Sequence, residues 1–194
     1  MIVGIALIVI AAGAVAAVRL TASKDTPAEQ ANKAIAAGVV AQQAGDNTKA
    51  QRDYARALKK DPTNAVAAYD LGQLAQAAGN STAAIAYYQQ AVASNPKLTA
   101  AMFNEAILVS ATQPQQAIDL YKQIVTMQPK AATAFLNLGL LEIRTPATLQ
   151  QGEVDLAQAG FLDPTLTARI PAGLQIPKVI AAGAPAPTAI GGAP

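Results

Sequence analysis

Side chains that could do chemistry are scarce in this chain. There is no Cys and no His among its 194 residues. Thiolate nucleophiles, disulfides and Cys-type zinc sites are therefore excluded, as are Ser-His-Asp and Cys-His catalysis and imidazole ligation. Carboxylates, amides, phenols, hydroxyls and the Lys and Arg cations remain. The acidic pairs Asp119 with Glu105 and Glu142 with Glu153 come nearest to a general acid–base arrangement. They fall on helical stretches with no cleft signal, and they read as solvated helix faces. No Gly-rich phosphate loop follows a strand, because no strand is predicted. Lys59-Lys60 reads as a helix end, where cations suit the dipole. The expectation is a non-enzyme with no catalytic residues, no metal and no cofactor. A scattered net charge of +2 also argues against a nucleic-acid surface.

Any function must then lie in how the elements are arranged. The chain is 52% hydrophobic but 4% aromatic and 13% charged, against about 25% charged in ordinary soluble domains. Its middle repeats itself. Pro62 and Pro96 are 34 residues apart, and the same interval separates Ala50 from Ala84, Tyr54 from Tyr88, Ala57 from Ala91 and Gly38 from Gly72. Taking Ala31 and Ala65 as the first residues of two units, small residues recur at positions 8, 20 and 27, an aromatic at 24 and Pro at 32. A third unit from Thr99 places Ala106, Ala117, Tyr121 and Pro129 correspondingly, one residue short near Gln113-Pro114. In it Ile124 replaces the small residue at position 27. A fourth, weaker unit runs from Ala132 to Pro164, with Leu138-Gly139 at 7 and 8, then Gly152, Leu156 and Ala159.

This pattern resembles the tetratricopeptide repeat, whose period is 34. It covers roughly residues 31–164. The resemblance implies an all-α fold, a short right-handed solenoid of three to four helical hairpins. Small residues mark where helices approach most closely, the position-24 aromatic fills the space between them, and Pro ends the second helix. Gly45-Asp46-Asn47 and Gly79-Asn80-Ser81 offer a Gly C-cap followed by an N-cap. Thr26-Pro27-Ala28-Glu29 reads as a capping box opening the first helix at Pro27. Asn80-Ser81-Thr82 also has the glycosylation triplet form, but the turn already explains it. The expected solenoid spans 27–169, with units at about 31–64, 65–98, 99–131 and 132–164. The fourth unit and Thr165–Arg169 form a closing cap.

The resemblance further implies a concave face built from the first helix of each unit, where peptides or partner helices bind. Continuing the register, positions 5, 6 and 9 give Tyr69, Asp70 and Gln73, then Phe103, Asn104 and Ile107, then Leu136, Asn137 and Leu140. Some family members use an Asn ladder at position 6 to hold a ligand backbone, since an amide both donates and accepts. Asn104 and Asn137 match that usage; Asp70 and Ala36 do not. The Lys/Arg clamp of the chaperone-binding members is not recognisable. The bland alternative is a line of exposed polar positions.

The ends differ from the middle. Residues 1–18, MIVGIALIVIAAGAVAAV, carry no charge and would make about 27 Å of helix, close to the thickness of a hydrocarbon core. The first expectation is one transmembrane helix that anchors the chain as a single-pass membrane protein. The alternatives are a signal peptide with Ala14-Val15-Ala16 as its small-x-small site, and a buried core helix. Residues 19–26 read as a linker. Arg19, Lys24 and Lys33 follow the run, which by the positive-inside rule favours a cytosolic repeat stack. Similarity to anchored repeat proteins of bacterial envelopes favours the opposite side, and an extracytoplasmic stack is the expectation. Residues 170–194 read as a flexible Ala/Pro/Gly-rich tail, with a docking segment using Ile176, Val179 and Ile180 as the alternative.

Two functional classes follow. The first is a membrane-tethered scaffold that binds a protein or peptide partner in its groove, within a bacterial envelope or secretion-type assembly. The second is a self-assembling structural component that forms homo-oligomers.

Overall fold

A computed structural model describes residues 25–174. The anchor expected at residues 1–18 and most of the tail lie outside this range. Among the described residues no helix is long and apolar enough to cross a membrane. The described chain is helical throughout: α1 (Pro27–Gln43), α2 (Asn47–Lys60), α3 (Ala65–Ala77), α4 (Ser81–Ser94), α5 (Thr99–Val109), α6 (Pro114–Met127), α7 (Ala132–Glu142), α8 (Leu149–Leu162) and a 3-10 helix at Pro164–Arg169. Each odd helix packs on the even helix that follows it, and each even helix packs on the next odd one. Four hairpins therefore stack in sequence order, as the spacing predicts.

Local chemistry sets the boundaries. Thr26 Oγ1 accepts from the Glu29 amide at 3.2 Å, and Glu29 Oε2 accepts from the Thr26 amide at 2.6 Å. With Pro27 in the first turn, this is the expected capping box. Asp46, Asn64 and Asn80 cap α2, α3 and α4 by accepting from Lys49, Ala67 and Ala83 amides at 2.8, 3.1 and 3.0 Å. Gly45 and Gly79 turn the chain between helices at φ 78 and 75 degrees, a conformation that Cβ-bearing residues rarely adopt. Pro62, Pro96, Pro129 and Pro164 each follow the C-cap residue of an even helix and stop it from continuing.

The core is small residues against tyrosine. Tyr54, Tyr88 and Tyr121 are buried, as are Ala50, Ala57, Ala84, Ala91 and Ala117. A Cβ on Gly38 would lie 2.6 Å from Tyr54 Cε1, and one on Gly72 would lie 2.5 Å from Tyr88 Cε1. The small residue at position 8 is thus the seat of the ring at position 24. In the fourth unit Leu156 and the backbone share the ring's place: a Cβ on Gly139 would meet Leu156 Cγ and the Gly152 carbonyl oxygen, each at 2.7 Å.

Two of the acids expected on solvated faces are buried. Glu105 is 3% exposed and Glu142 is fully covered. Glu105 stands at position 7, where Leu71 and Leu138 stand in the units on either side. Its Oε1 accepts from Gln89 Nε2 at 3.0 Å and from Gln116 Nε2 at 2.7 Å. Glu142 is paired with Lys122 Nζ at 2.8 Å. Their partners come from helices α4 and α6, so the helix that carries each acid gives no sign of them.

Candidate protein-interaction groove

Along the odd helices lies a cavity of about 450 Å3 whose lining includes Tyr69 of α3, Ala100, Phe103 and Asn104 of α5 and Thr133 of α7. Tyr69, Phe103 and Asn104 are thereby brought together as the register predicts. Position 5 supplies aromatic walls: the Tyr69 ring sits 5.9 Å from Tyr88, and the Phe103 ring meets Tyr121 edge-on at 5.6 Å. Gln73 Nε2 donates to the Tyr69 hydroxyl at 3.0 Å and fixes its outer edge. Ile107 is 41% exposed, one turn beyond Phe103 and Asn104 on α5.

The fourth unit lines this cavity with Thr133 but does not continue the position-5 wall. Leu136, expected in the groove, is fully buried. The chain beyond α8 covers it: Leu166, Ile170 and Leu174 pack on the cluster of Phe135, Leu136, Leu156 and Ala159, and so does Leu140. The closing segment takes the place that the first helix of a further unit would occupy, and position 5 of the last unit becomes core.

The position-6 line has a second use. Asn104 Nδ2 donates to the Tyr88 hydroxyl at 3.3 Å, and Asn137 Nδ2 donates to the Tyr121 hydroxyl at 3.1 Å. The Tyr54 and Tyr88 hydroxyls in turn donate to Gln42 Oε1 at 2.9 Å and Gln76 Oε1 at 2.7 Å. At the seam between the second and third units, Gln76 at position 12, Tyr88 at position 24 and Asn104 at position 6 of the next unit are joined in a chain; the first seam has the position-12 half alone and the third the position-6 half alone. Burial pushes the Tyr88 and Tyr121 hydroxyls up, and the Asn104 and Asn137 bonds pull them partly back.

Asp70 breaks this line. It occupies position 6 of the second unit beside Tyr54, whose hydroxyl is pushed up to about 12 by burial and then by the Asp70 charge. Burial alone raises Asp70 to about 6. Among the described residues it has no hydrogen bond and no ion pair.

A second polar cluster lies away from the groove. Asp155 of α8 is buried against Glu142 and is pushed up to about 8, by burial first and by Glu142 next. Gln151 Nε2 donates to its Oδ1 at 3.3 Å, while Oδ2 has no hydrogen-bond partner. Sequence reasoning passed over Asp155. The available signal was Glu142 itself, an acid at position 11 where the other units carry Ala41, Ala75 and Val109. Among the described residues no group of three or more acidic side chains is placed to hold a metal ion.

Four stacked hairpins with tyrosines seated on small residues define a helical-repeat solenoid of the protein-interaction class. A family model described as the tetratricopeptide repeat matches residues 35–99 and 107–163. The chain belongs to the tetratricopeptide repeat family. Solved structures share its architecture at low identity, a likeness of fold. MamA is 20% identical, with 72% of this chain and 81% of that one covered and a TM-score of 0.62. YrrB, described as a repeat protein with an unusual peptide-binding site, is 22% identical over 72% of this chain and 74% of its own, with a TM-score of 0.60. The first repeat domain of Spaghetti (RPAP3), bound to the HSP90 peptide SRMEEVD, is 20% identical over 60% of this chain and 93% of its own, at 0.55. No curated protein matches the chain.

Proposed function

We propose that this protein is a membrane-tethered scaffold that holds an extended peptide or partner helix along its odd-helix face. One observation carries the reading: Tyr69, Phe103 and Asn104 meet in a single cavity of about 450 Å3, the size range of a ligand site. The peptide-binding descriptions of YrrB and of the Spaghetti domain support the same use of the fold. The role of residues 1–18 as the tether rests on their charge-free length. A bacterial envelope or secretion-type assembly is the setting we infer, with the repeats outside the cytoplasmic membrane and no catalysis.

The test is direct. Random dodecapeptides are selected on the full chain in mild detergent, and the selected peptides are titrated against wild type and Ala100→Trp. Ala100 is exposed and lines the cavity, so the indole fills it without touching the core. Loss of binding in that variant supports the groove; unchanged binding moves the site elsewhere. Membrane fractionation with and without residues 1–18 tests the tether. The runner-up, self-assembly, is favoured by the exposed Val40 and Phe161, at 64% and 45%. It requires copies that remain associated when Val40 and Phe161 are intact and separate when both are changed to Ser.

A further inference from the structure

We propose that the groove selects a partner segment that places a Lys or Arg side chain, flanked by apolar residues, against Asp70. The inference rests on the groove reading above and names the chemistry of its occupant.

Three observations converge. Asp70 is half-buried at position 6, and the same position supplies Asn104 to the lining of the cavity. Where Asn104 and Asn137 each satisfy a neighbouring tyrosine, Asp70 faces the Tyr54 hydroxyl, which already donates to Gln42. Its carboxylate is left with no donor among the described residues, and a partly desolvated anion without one is costly. The side chain before it and the one a unit further on are Tyr69 and Phe103, whose rings border the cavity. Asp70 itself lies outside that lining, next in sequence to Tyr69, so a segment laid along the odd helices that offers apolar groups to the two rings can bring a cation to the carboxylate. No basic residue lines the cavity, so nothing in it invites an acidic terminus. The occupant this fits is a cationic side chain carried on an apolar backbone.

The repeat supplies its own control. Asn stands at position 6 in the third and fourth units, so Asp70→Asn is a change the architecture already accommodates. Dodecapeptides selected on the full chain in mild detergent should be enriched in a single Lys or Arg between apolar residues. The enriched peptides should lose about tenfold or more in affinity for Asp70→Asn. Replacing their cation with Gln should lose as much on wild type and nothing further on Asp70→Asn. Peptides that bind the Ala100→Trp-sensitive groove without a cationic preference, or equally well to Asp70→Asn, overturn this inference and leave the groove reading intact. Binding insensitive to Ala100→Trp overturns the groove reading itself. The chain's own segment 175–194 contains one cation, Lys178. Selection that succeeds only on a variant ending at residue 174 shows that segment already occupying the groove, and overturns the assignment to a partner.

Discussion

Gly72→Ala measures how firmly the ring at position 24 is held. By helix propensity alone the change should stabilise α3 by about 1 kcal/mol. Packing opposes this. The new methyl would lie 2.5 Å from Tyr88 Cε1 and 2.6 Å from Cδ1, roughly an ångström inside ordinary contact. Overpacking of this kind costs about 1–3 kcal/mol. The ring has no free escape. Its hydroxyl donates to Gln76 at 2.7 Å and accepts from Asn104 at 3.3 Å, so swinging aside breaks two hydrogen bonds worth about 1 kcal/mol each. The upper part of the overpacking range therefore applies, and the net expectation is destabilisation by about 2 kcal/mol. Urea unfolding followed by helical ellipticity reads it. The same substitution in a Tyr88→Leu background should recover the propensity gain, because the obstructing ring is gone. A stabilised Gly72→Ala in the presence of Tyr88 would refute the claim that the glycine is the seat of the tyrosine.

Other expectations follow from the same contacts. Asn137→Ala and Tyr121→Phe should each cost about 1 kcal/mol, and the double variant should cost little more than either, because both remove one bond; additive losses in a thermal-melt cycle would show that the bond contributes nothing. Asp155 takes up a proton on folding, since its carboxyl rises from 3.8 to about 8. The unfolded chain therefore holds fewer protons than the folded one from about pH 4 to about pH 8, and stability falls as pH rises through that window. Asp155→Asn should flatten the part above about pH 6 in unfolding titrations, where Asp70, raised to about 6, no longer contributes. Asp70→Asn should itself raise stability at pH 7 by about 1 kcal/mol, by removing a partly buried charge and offering Tyr54 an amide donor; a loss of stability in the melt would show that the carboxylate has an undetected partner.

The pitch, the capping chemistry and the tyrosine seats were legible because each depends on residues close in sequence or one period apart. Thr26 with Glu29, Gly45 and Gly79 in their turns, and Gly38 and Gly72 opposite Tyr54 and Tyr88 all lie within one unit. Tyr69, Phe103 and Asn104 were legible in the groove because the register carries them there. Leu136 was not, since the segment that buries it breaks the period. Register carried forward from units two and three says nothing of Leu166, Ile170 and Leu174 folding back. Glu105 and Glu142 were misread for a related reason. A helix's own sequence shows an acid on it, while the glutamines and lysine that satisfy that acid lie on neighbouring helices. The double duty of Asn104 and Asn137 also escaped the pattern, because a ladder for ligands and a bond to the preceding tyrosine use the same residue at the same place.

The chain of contacts from Gln76 through Tyr88 to Asn104 has an architectural corollary. The second module supplies Gln76 and Tyr88 to this joint and the third supplies Asn104, so residues 65–98 form a brick that is complete on its outgoing side. Duplicating that brick between the second and third modules would lengthen the receiving surface, and the one new seam would regain the joint only with Asn in place of Asp70 in the added copy. Adding a brick after the fourth would fail, because the closing segment over Leu136 has sealed that end.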